Sequence, residues 1–187
     1  MIGLWRIEGH AIVSADDRIA GADGLTPASL RNEADWARFQ AALDCAAVTV
    51  LGRLGHEANP NRKQRNRLVL SSTAKGIERR DDAWWWNPAA ADLRDALTLA
   101  APAGGIVAVP GGRRVFDLFL DIGYDAFDLA RAERVTIPDG VPIFSAVASG
   151  VPAIDLLNRH GLVASKPEVL DSSANISLVR WVRRSAP

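Results

Sequence analysis

Short apolar runs alternate with helix-type patterns through the first two thirds of the sequence, and this alternation constrains the fold most. Strands are predicted at residues 5–13, 46–51, 68–70, 83–86 and 106–109. Between them, amphipathic helices are predicted over residues 30–44, from Asn87-Pro88 onward, and from Gly112 to Gly123. Parallel strands need long crossover connections, usually helices, so this order favours a parallel sheet covered on both faces.

The last third contains strand patterns with no helix pattern between them. Strand or strand-edge signals occupy residues 126–130, 133–137, 162–170 and 176–182. Consecutive strands of this kind pair antiparallel. We therefore predict a three-layer α/β fold, in which a mixed, mostly parallel sheet is flanked by helices and ends in a C-terminal antiparallel hairpin.

Length and charge predict one domain with a small-molecule partner. The 187 residues fit a single domain over 1–187, and 22 basic residues balance 22 acidic ones. A chain with no formal net charge has no broad attraction for nucleic acid or an anionic membrane, so neither is expected as a partner. Either a monomer or a homodimer is compatible with the sequence.

The cysteine and histidine content argues against disulfides and metals. The single Cys45 lies in an alanine-rich apolar run, which predicts a buried thiol in a reducing compartment. His10, His56 and His160 are far apart, so we expect no metal. The sequence shows no signal peptide and no apolar run of about 20 residues, which favours the cytoplasm.

Polar and glycine residues follow three of the predicted strands. At the carboxyl ends of such strands, glycine turns and helix N-termini can bind anions. Gly111 and Gly112 with Arg113 and Arg114 could bind a diphosphate, while Gly52-Arg53 and Ser71-Ser72 could bind a further phosphate. A simple tight turn at Gly111-Gly112 is the alternative.

Asp35 is the candidate acid. It precedes Trp36 on a predicted helix that Ser29 can cap, and the side chains of Trp36, Phe39 and Leu43 should pack against the sheet. A half-buried carboxylate there could accept two hydrogen bonds from an amidine-like heterocycle and assist its protonation. A solvated acid on the flank of the helix is the alternative.

Taken in chain order, these landmarks resemble the dihydrofolate reductase family. The resemblance runs from about Ile7 to Arg183. The segment Glu33 to Phe39 is similar to the family's helix with a substrate-binding acid, Val50 to Arg53 to its Gly-Arg motif, and Arg65 to Ser72 to its arginine, strand and paired serines. Ala108 to Phe116 is similar to its Gly-Gly turn and following helix.

The resemblance implies NADPH as the cofactor and a role for each matching residue. Asp35 would be catalytic and would bind the substrate together with Phe39 and Arg65. The implied cofactor-binding residues are Gly52, Arg53, Ser71, Ser72, Gly111, Gly112, Arg113, Arg114 and Val115. The implied reaction is hydride transfer from NADPH to a C=N bond of dihydrofolate or a related pterin.

The same fold occurs in riboflavin-pathway reductases, so the branch stays open. Residues 14–20 are similar to a Ser-x-Asp-Gly-x-Ile-Ala motif of that branch, which would act on a ribosylated aminopyrimidine. Thr26-Pro27 replaces the tryptophan usual in dihydrofolate reductases, Ala130 replaces a threonine, and Leu54-Gly55 lacks a usual hydroxyl. A nucleotide-binding module that has lost catalysis is therefore a third possibility.

Overall fold

Residues 2 to 184, which the computed structural model of the protein describes, form twelve strands and five α-helices. The strands are β1 (Trp5–Ser14), β2 (Arg18–Ala20), β3 (Val48–Gly52), β4 (Arg67–Leu70), β5 (Ile77–Arg80), β6 (Ala83–Trp86), β7 (Gly105–Gly111), β8 (Ala126–Ala132), β9 (Val141–Pro142), β10 (Leu162–Ala164), β11 (Glu168–Asp171) and β12 (Ile176–Arg183). The helices are α1 (Glu33–Asp44), α2 (Arg53–Ala58), α3 (Leu93–Ala100), α4 (Arg113–Ile122) and α5 (Ala153–Arg159).

Ten of the strands form one mixed sheet in the order β10-β12-β8-β1-β7-β3-β4-β6-β5, with β11 also paired to β12. The six strands from β8 to β6 in this order run parallel to one another. The pairings of β12 with β8, β10 and β11 are antiparallel, as is the pairing of β5 with β6. The predicted α/β architecture, with its mostly parallel sheet and antiparallel C-terminal strands, is confirmed.

The two faces of the sheet differ in chemistry. The main core lies on the face that α3, α4 and α5 cover, where Ile7, Val50 and Phe127 are fully buried among apolar helix residues. Side chains alternate between faces along a strand, so Glu8 and His10 of β1 point to the opposite face, which α1 covers. Polar groups are therefore concentrated under α1.

Helix α1 begins three residues later than predicted, at Glu33 instead of residue 30. Ser29 lies in a 3-10 turn, Ala28–Leu30, and the side chain of Asn32 caps α1 by accepting from the backbone N–H groups of Ala34 and Asp35. Leu43 is buried as predicted, but Trp36 is 60% exposed and Phe39 only half-buried. The predicted apolar face of this helix is therefore only partly packed against the sheet.

Several other local predictions are wrong. Cys45 is exposed, because it caps the C-terminus of α1 before the buried strand begins. The helix predicted from Asn87 starts at Leu93, and Asn87 begins only a short turn, in which its Oδ1 accepts a hydrogen bond from the N–H of Ala89. Residues 133–137 form no strand, and the strand predicted over 162–170 is divided into β10 and β11.

No helix in the described range is long and apolar enough to cross a membrane. Across the same residues, no three histidine, cysteine, aspartate or glutamate side chains are grouped so that they could hold a metal ion.

Candidate functional site

A cavity of about 280 Å³ lies between α1 and the sheet. Helix α1 contributes one wall, with Asp35, Arg38 and Phe39. The opposite wall consists of side chains from three neighbouring strands: His10 and Ala11 from β1, Asp128 from β8, and Leu178 from β12. The cavity thus joins apolar surface to several ionisable groups, which is typical of small-molecule sites.

Asp35 lies in the first turn of α1, where the cap at Asn32 fixes the helix start. Burial raises the pKa of Asp35 to about 6, because removal from water disfavours the charged carboxylate. The positive charges of Arg38 and His10 act in the opposite direction but offset only part of this effect. A carboxyl with this pKa can hold or release a proton near neutral pH.

A row of charged side chains runs across the sheet beneath Asp35. His10, Asp128 and Arg180 occupy paired register positions on β1, β8 and β12. Nη1 of Arg180 donates hydrogen bonds to the two carboxylate oxygens of Asp128, at 2.8 and 2.9 Å. Nη2 of Arg180 donates to Glu8 at 2.8 Å. Nδ1 of His10 lies 3.6 Å from Oδ2 of Asp128.

This row lowers the pKa of Asp128. Burial alone would raise it, but the hydrogen bond from His10 and the charge and hydrogen bonds of Arg180 together outweigh burial. Asp128 therefore stays ionised while Asp35 titrates near pH 6. Two carboxyl groups on one cavity with opposite pKa shifts are characteristic of sites that separate a charge-holding role from a proton-exchanging role.

A second set of candidate residues lies where β3 and β7 end. Leu51 pairs with Gly111, and a Cβ atom added to either Gly52 or Gly112 would lie 3.5 to 3.7 Å from Cγ2 of Val115. The structure thus brings the Gly-Arg turn and the Gly-Gly turn together around Val115. Gly111 and Gly112 have φ values of +132° and +79°, a backbone region that favours glycine.

Helix α4 begins directly after these glycines. The N–H groups of Val115 and Phe116 bond to the carbonyl of Gly112, while the first turn carries Arg113 and Arg114. Neither arginine forms an ion pair with another residue in the described range. Free N–H groups at a helix start, next to glycine backbone and guanidinium groups, can bind a diphosphate.

Arg53 and the two serines lie on neighbouring strand exits. Arg53 is exposed and bonds through Nη1 to both oxygens of Glu57, each at 2.9 Å, and such an exposed pair exchanges easily for another anion. The hydroxyl of Ser71 is buried in its own turn, where it bonds to Thr73. Ser72 is exposed, so it is the serine more open to a ligand.

Arg65 has protein partners for its guanidinium. Nε and Nη2 donate to Oδ1 of Asp44 at 2.9 and 2.6 Å, and Nη2 also donates to Oε1 of Gln40 at 2.8 Å. A substrate carboxylate would have to displace Asp44 or share the guanidinium with it. Arg65 is not among the residues that line the cavity.

The sequence analysis missed His10, Arg38, Asp128 and Arg180 as functional residues. A partial signal was present, because His10 and Asp128 are ionisable residues inside predicted strands that are largely buried. Their juxtaposition, however, depends on strand pairing between distant parts of the sequence. His10 and Asp128 are 118 residues apart, and Asp128 and Arg180 are 52 residues apart. Ala130, which stands where the family has a threonine, lies two residues beyond Asp128 and is fully buried.

Comparison with known proteins finds similarity at the level of structure. No family model and no curated protein matches the sequence. A dihydrofolate reductase from Enterococcus faecalis, complexed with NADP(H) and RAB-propyl, superposes with a TM-score of 0.63 at 15% identity, over 96% of this chain and 97% of that one.

Two further structures with riboflavin-related names are similar. A diaminohydroxyphosphoribosylaminopyrimidine deaminase/5-amino-6-(5-phosphoribosylamino)uracil reductase from Thermotoga maritima gives a TM-score of 0.68 at 15% identity, over 97% of this chain and 57% of that one. A structure from Shewanella sp. PV-4 with a riboflavin-biosynthesis name gives 0.65 at 17% identity, over 96% and 99%. The chain therefore has the dihydrofolate reductase-like fold that its motifs led us to expect.

Proposed function

We propose that this protein is an NADPH-dependent reductase that adds hydride to a C=N bond of dihydrofolate or a related pterin. The supporting observation is Asp35, a half-buried carboxyl with a pKa near 6 on a cavity large enough for a fused heterocycle. The fold supports the same proposal, since one similar structure is a dihydrofolate reductase complexed with NADP(H).

The glycine turns fit the diphosphate of NADPH. Any side chain at Gly112 would be strained by its φ of +79°, and a Cβ atom at Gly111 would lie 3.3 Å from the ring of Phe116. Both positions therefore favour glycine, whose backbone a ligand can approach without meeting a side chain. Gly111, Gly112, Arg113, Arg114 and Val115 would surround the diphosphate, and Gly52, Arg53, Ser71 and Ser72 the adenosine phosphate.

NADPH, when bound, supplies the hydride. Asp35 would accept hydrogen bonds from the amino-pyrimidine edge of the substrate and favour protonation of its imine nitrogen, directly or through water. Phe39 would pack against the ring. Helix α1 and the sheet would exclude water around both, which strengthens the hydrogen bonds to Asp35.

A ribosylated aminopyrimidine is the second candidate substrate, and the exposed Arg62 could bind its phosphate. The leading proposal needs Arg65 for a substrate carboxylate, but Asp44 and Gln40 already bind that guanidinium. Arg62 is exposed nearby in sequence and is available for a phosphate tail. The similar structure from Thermotoga maritima is named for this reaction class, on a chain of which ours covers 57%.

The test is the loss of NADPH absorbance with dihydrofolate and, separately, with a phosphoribosylated 5-amino-uracil. Wild type is compared with Asp35→Asn and with Asp121→Asn, an exposed acid at the far end of α4. We expect Asp35→Asn to slow hydride transfer about 100-fold or more, with the Kd for NADPH unchanged. Asp121→Asn should match wild type.

The outcomes separate the candidates. Faster oxidation of NADPH with one of the two substrates identifies the substrate class. The same assay with NADH in place of NADPH measures the cofactor preference. Saturable NADPH binding with no oxidation by either substrate would favour a nucleotide-binding module without catalysis. An unchanged rate in Asp35→Asn would remove Asp35 from the reaction.

A further inference from the structure

His10 is a buried imidazole whose second nitrogen has no protein partner. The residue is 5% exposed and lines the cavity. Nδ1 faces Asp128, but Nε2 is buried and makes no hydrogen bond with any residue between 2 and 184. A buried polar atom without a partner destabilises the folded state, so its retention calls for an explanation.

Charge balance beneath α1 does not require His10. Arg180 pairs with both Asp128 and Glu8, and Arg6 pairs with Glu8 as well, so two guanidinium groups already neutralise two carboxylates. The remaining ionisable groups that face the imidazole are Asp35 and Arg38 on α1. His10 is therefore not needed as a counter-charge in this row, and its imidazole can interact with a ligand in the cavity.

The contact with Asp128 sets which nitrogen of His10 is left for a ligand. A carboxylate on the Nδ1 side favours the tautomer in which Nδ1 carries the proton. Nε2 is then the nitrogen without a protein partner, on a residue that lines the same cavity as Asp35.

We propose that His10 is a catalytic residue that donates the proton in this reduction, an inference that rests on the proposed function. As hydride forms the new C–H bond, the π electrons of C=N move to nitrogen, and that nitrogen takes the proton from Nε2 of His10. The substrate is reduced, the nicotinamide is oxidised, and the neutral imidazole regains a proton from solvent. Asp35 then anchors the ring rather than supplying its proton.

Two substitutions separate proton donation from hydrogen bonding and from folding. His10→Gln keeps a hydrogen-bonding atom near the position of Nε2, whereas His10→Asn keeps one near Nδ1 and loses the other. Neither amide titrates. His160→Gln is the matched control, since His160 lies at the end of α5 and bonds through Nδ1 to the carbonyl of Leu156. Thermal melts and the Kd for NADPH verify that each variant is folded.

Single-turnover oxidation of NADPH by dihydrofolate and by the phosphoribosylated 5-amino-uracil is the measurement. We expect both His10 variants to be about 100-fold slower or more, with NADPH binding unchanged, and His160→Gln to match wild type. Normal rates in His10→Gln would overturn proton donation, whether or not His10→Asn is slow. A wild type inactive with both substrates would instead overturn the proposed function, and the role of His10 with it.

Discussion

Asp35 is half-buried, and burial raises its pKa to about 6, so its charge changes with pH near neutrality. Its raised pKa means that the folded protein binds the proton more tightly than the unfolded chain does. The stability that this carboxyl contributes is therefore complete below its ordinary pKa of 3.8 and is lost as pH rises through about 6.

Asp35→Asn should remove this pH dependence. The variant should gain about 1 to 3 kcal/mol in the free energy of unfolding relative to wild type between pH 4 and pH 7.5, because the amide carries no charge to desolvate. Urea denaturation at the two pH values measures the difference. A gap between the two proteins that is the same at both pH values would contradict the burial of this carboxyl.

Gly9 is a glycine because a phenyl ring occupies the space of its side chain. A Cβ atom on Gly9 would lie 2.2 Å from Cδ2 of Phe127, a buried ring that also contacts Phe116, Tyr124 and Phe144. Neighbouring rings on three sides leave Phe127 little room to move away. The requirement is steric and does not involve an unusual backbone angle.

Gly9→Ala should destabilise the protein by about 1 to 3 kcal/mol through overpacking, lowering the Tm by several degrees. Gly55→Ala on helix α2 is the control. Its added methyl would meet only the side chain of Leu51, at the ordinary contact distance of 3.9 Å. That variant should be neutral or slightly more stable. Equal Tm values for the two variants would mean that β1 and β8 can separate without cost.

At the scale of elements, three strands are held together by charge on one face as well as by their hydrogen bonds. Arg180 on β12 connects Asp128 on β8 with Glu8 on β1. The ion pairs stabilise the fold above the ordinary pKa of Asp128, and this contribution is lost as pH falls through its lowered folded-state value.

Arg180→Met should leave the half-buried Asp128 without its guanidinium partner and the buried Glu8 with Arg6 alone, and lower the free energy of unfolding by about 1 to 3 kcal/mol at pH 7. The loss should be smaller at pH 3, which lies below the ordinary pKa of 3.8 for this carboxyl. Lys63→Met, which breaks an exposed pair with Asp44, should change stability by less than about 1 kcal/mol. Chemical denaturation at both pH values tests this, and equal losses in the two variants would contradict it.

The sequence predicted elements well where their residues are apolar, including the four-residue strands β4 and β6, and poorly for short helices and a charged edge strand. Strands β1, β3 and β7 and helix α4 were found because burial imposes a clear pattern on each. Helices α2 and α5 have only six and seven residues, too few to show a period. Strand β5 was not predicted, because its sequence Ile-Glu-Arg-Arg has no apolar pattern. An edge strand such as β5 tolerates charged residues.

The site was predictable only in part, for a related reason. Asp35, Gly52 and Gly111 belong to local motifs that a resemblance can carry over. His10, Asp128 and Arg180 meet only through strand pairing, and no local pattern reveals which faces they share. The exposure of Cys45 was missed because an alanine-rich run does not distinguish a helix end from a buried strand.

At the scale of the whole molecule, the middle of the sheet should be its most stable part. Strands β1 and β8 pair on both sides and carry fully buried residues, whereas β5 pairs only with β6 at the edge. Native-state hydrogen exchange should therefore be slowest for amides of β1 and β8 and much faster for β5. Uniform protection across all strands would indicate that the sheet opens only as a unit.

The position of Arg180 in β12 also affects when the cavity can exist during protein synthesis. β12 is made after every other strand of this sheet, yet it supplies Leu178 to the cavity wall and the guanidinium that neutralises Asp128. A nascent chain that has already paired β1 with β8 on the ribosome would still carry Asp128 without its cation. Assembly of the cavity must therefore wait for β12, which is synthesised after the other strands of this sheet.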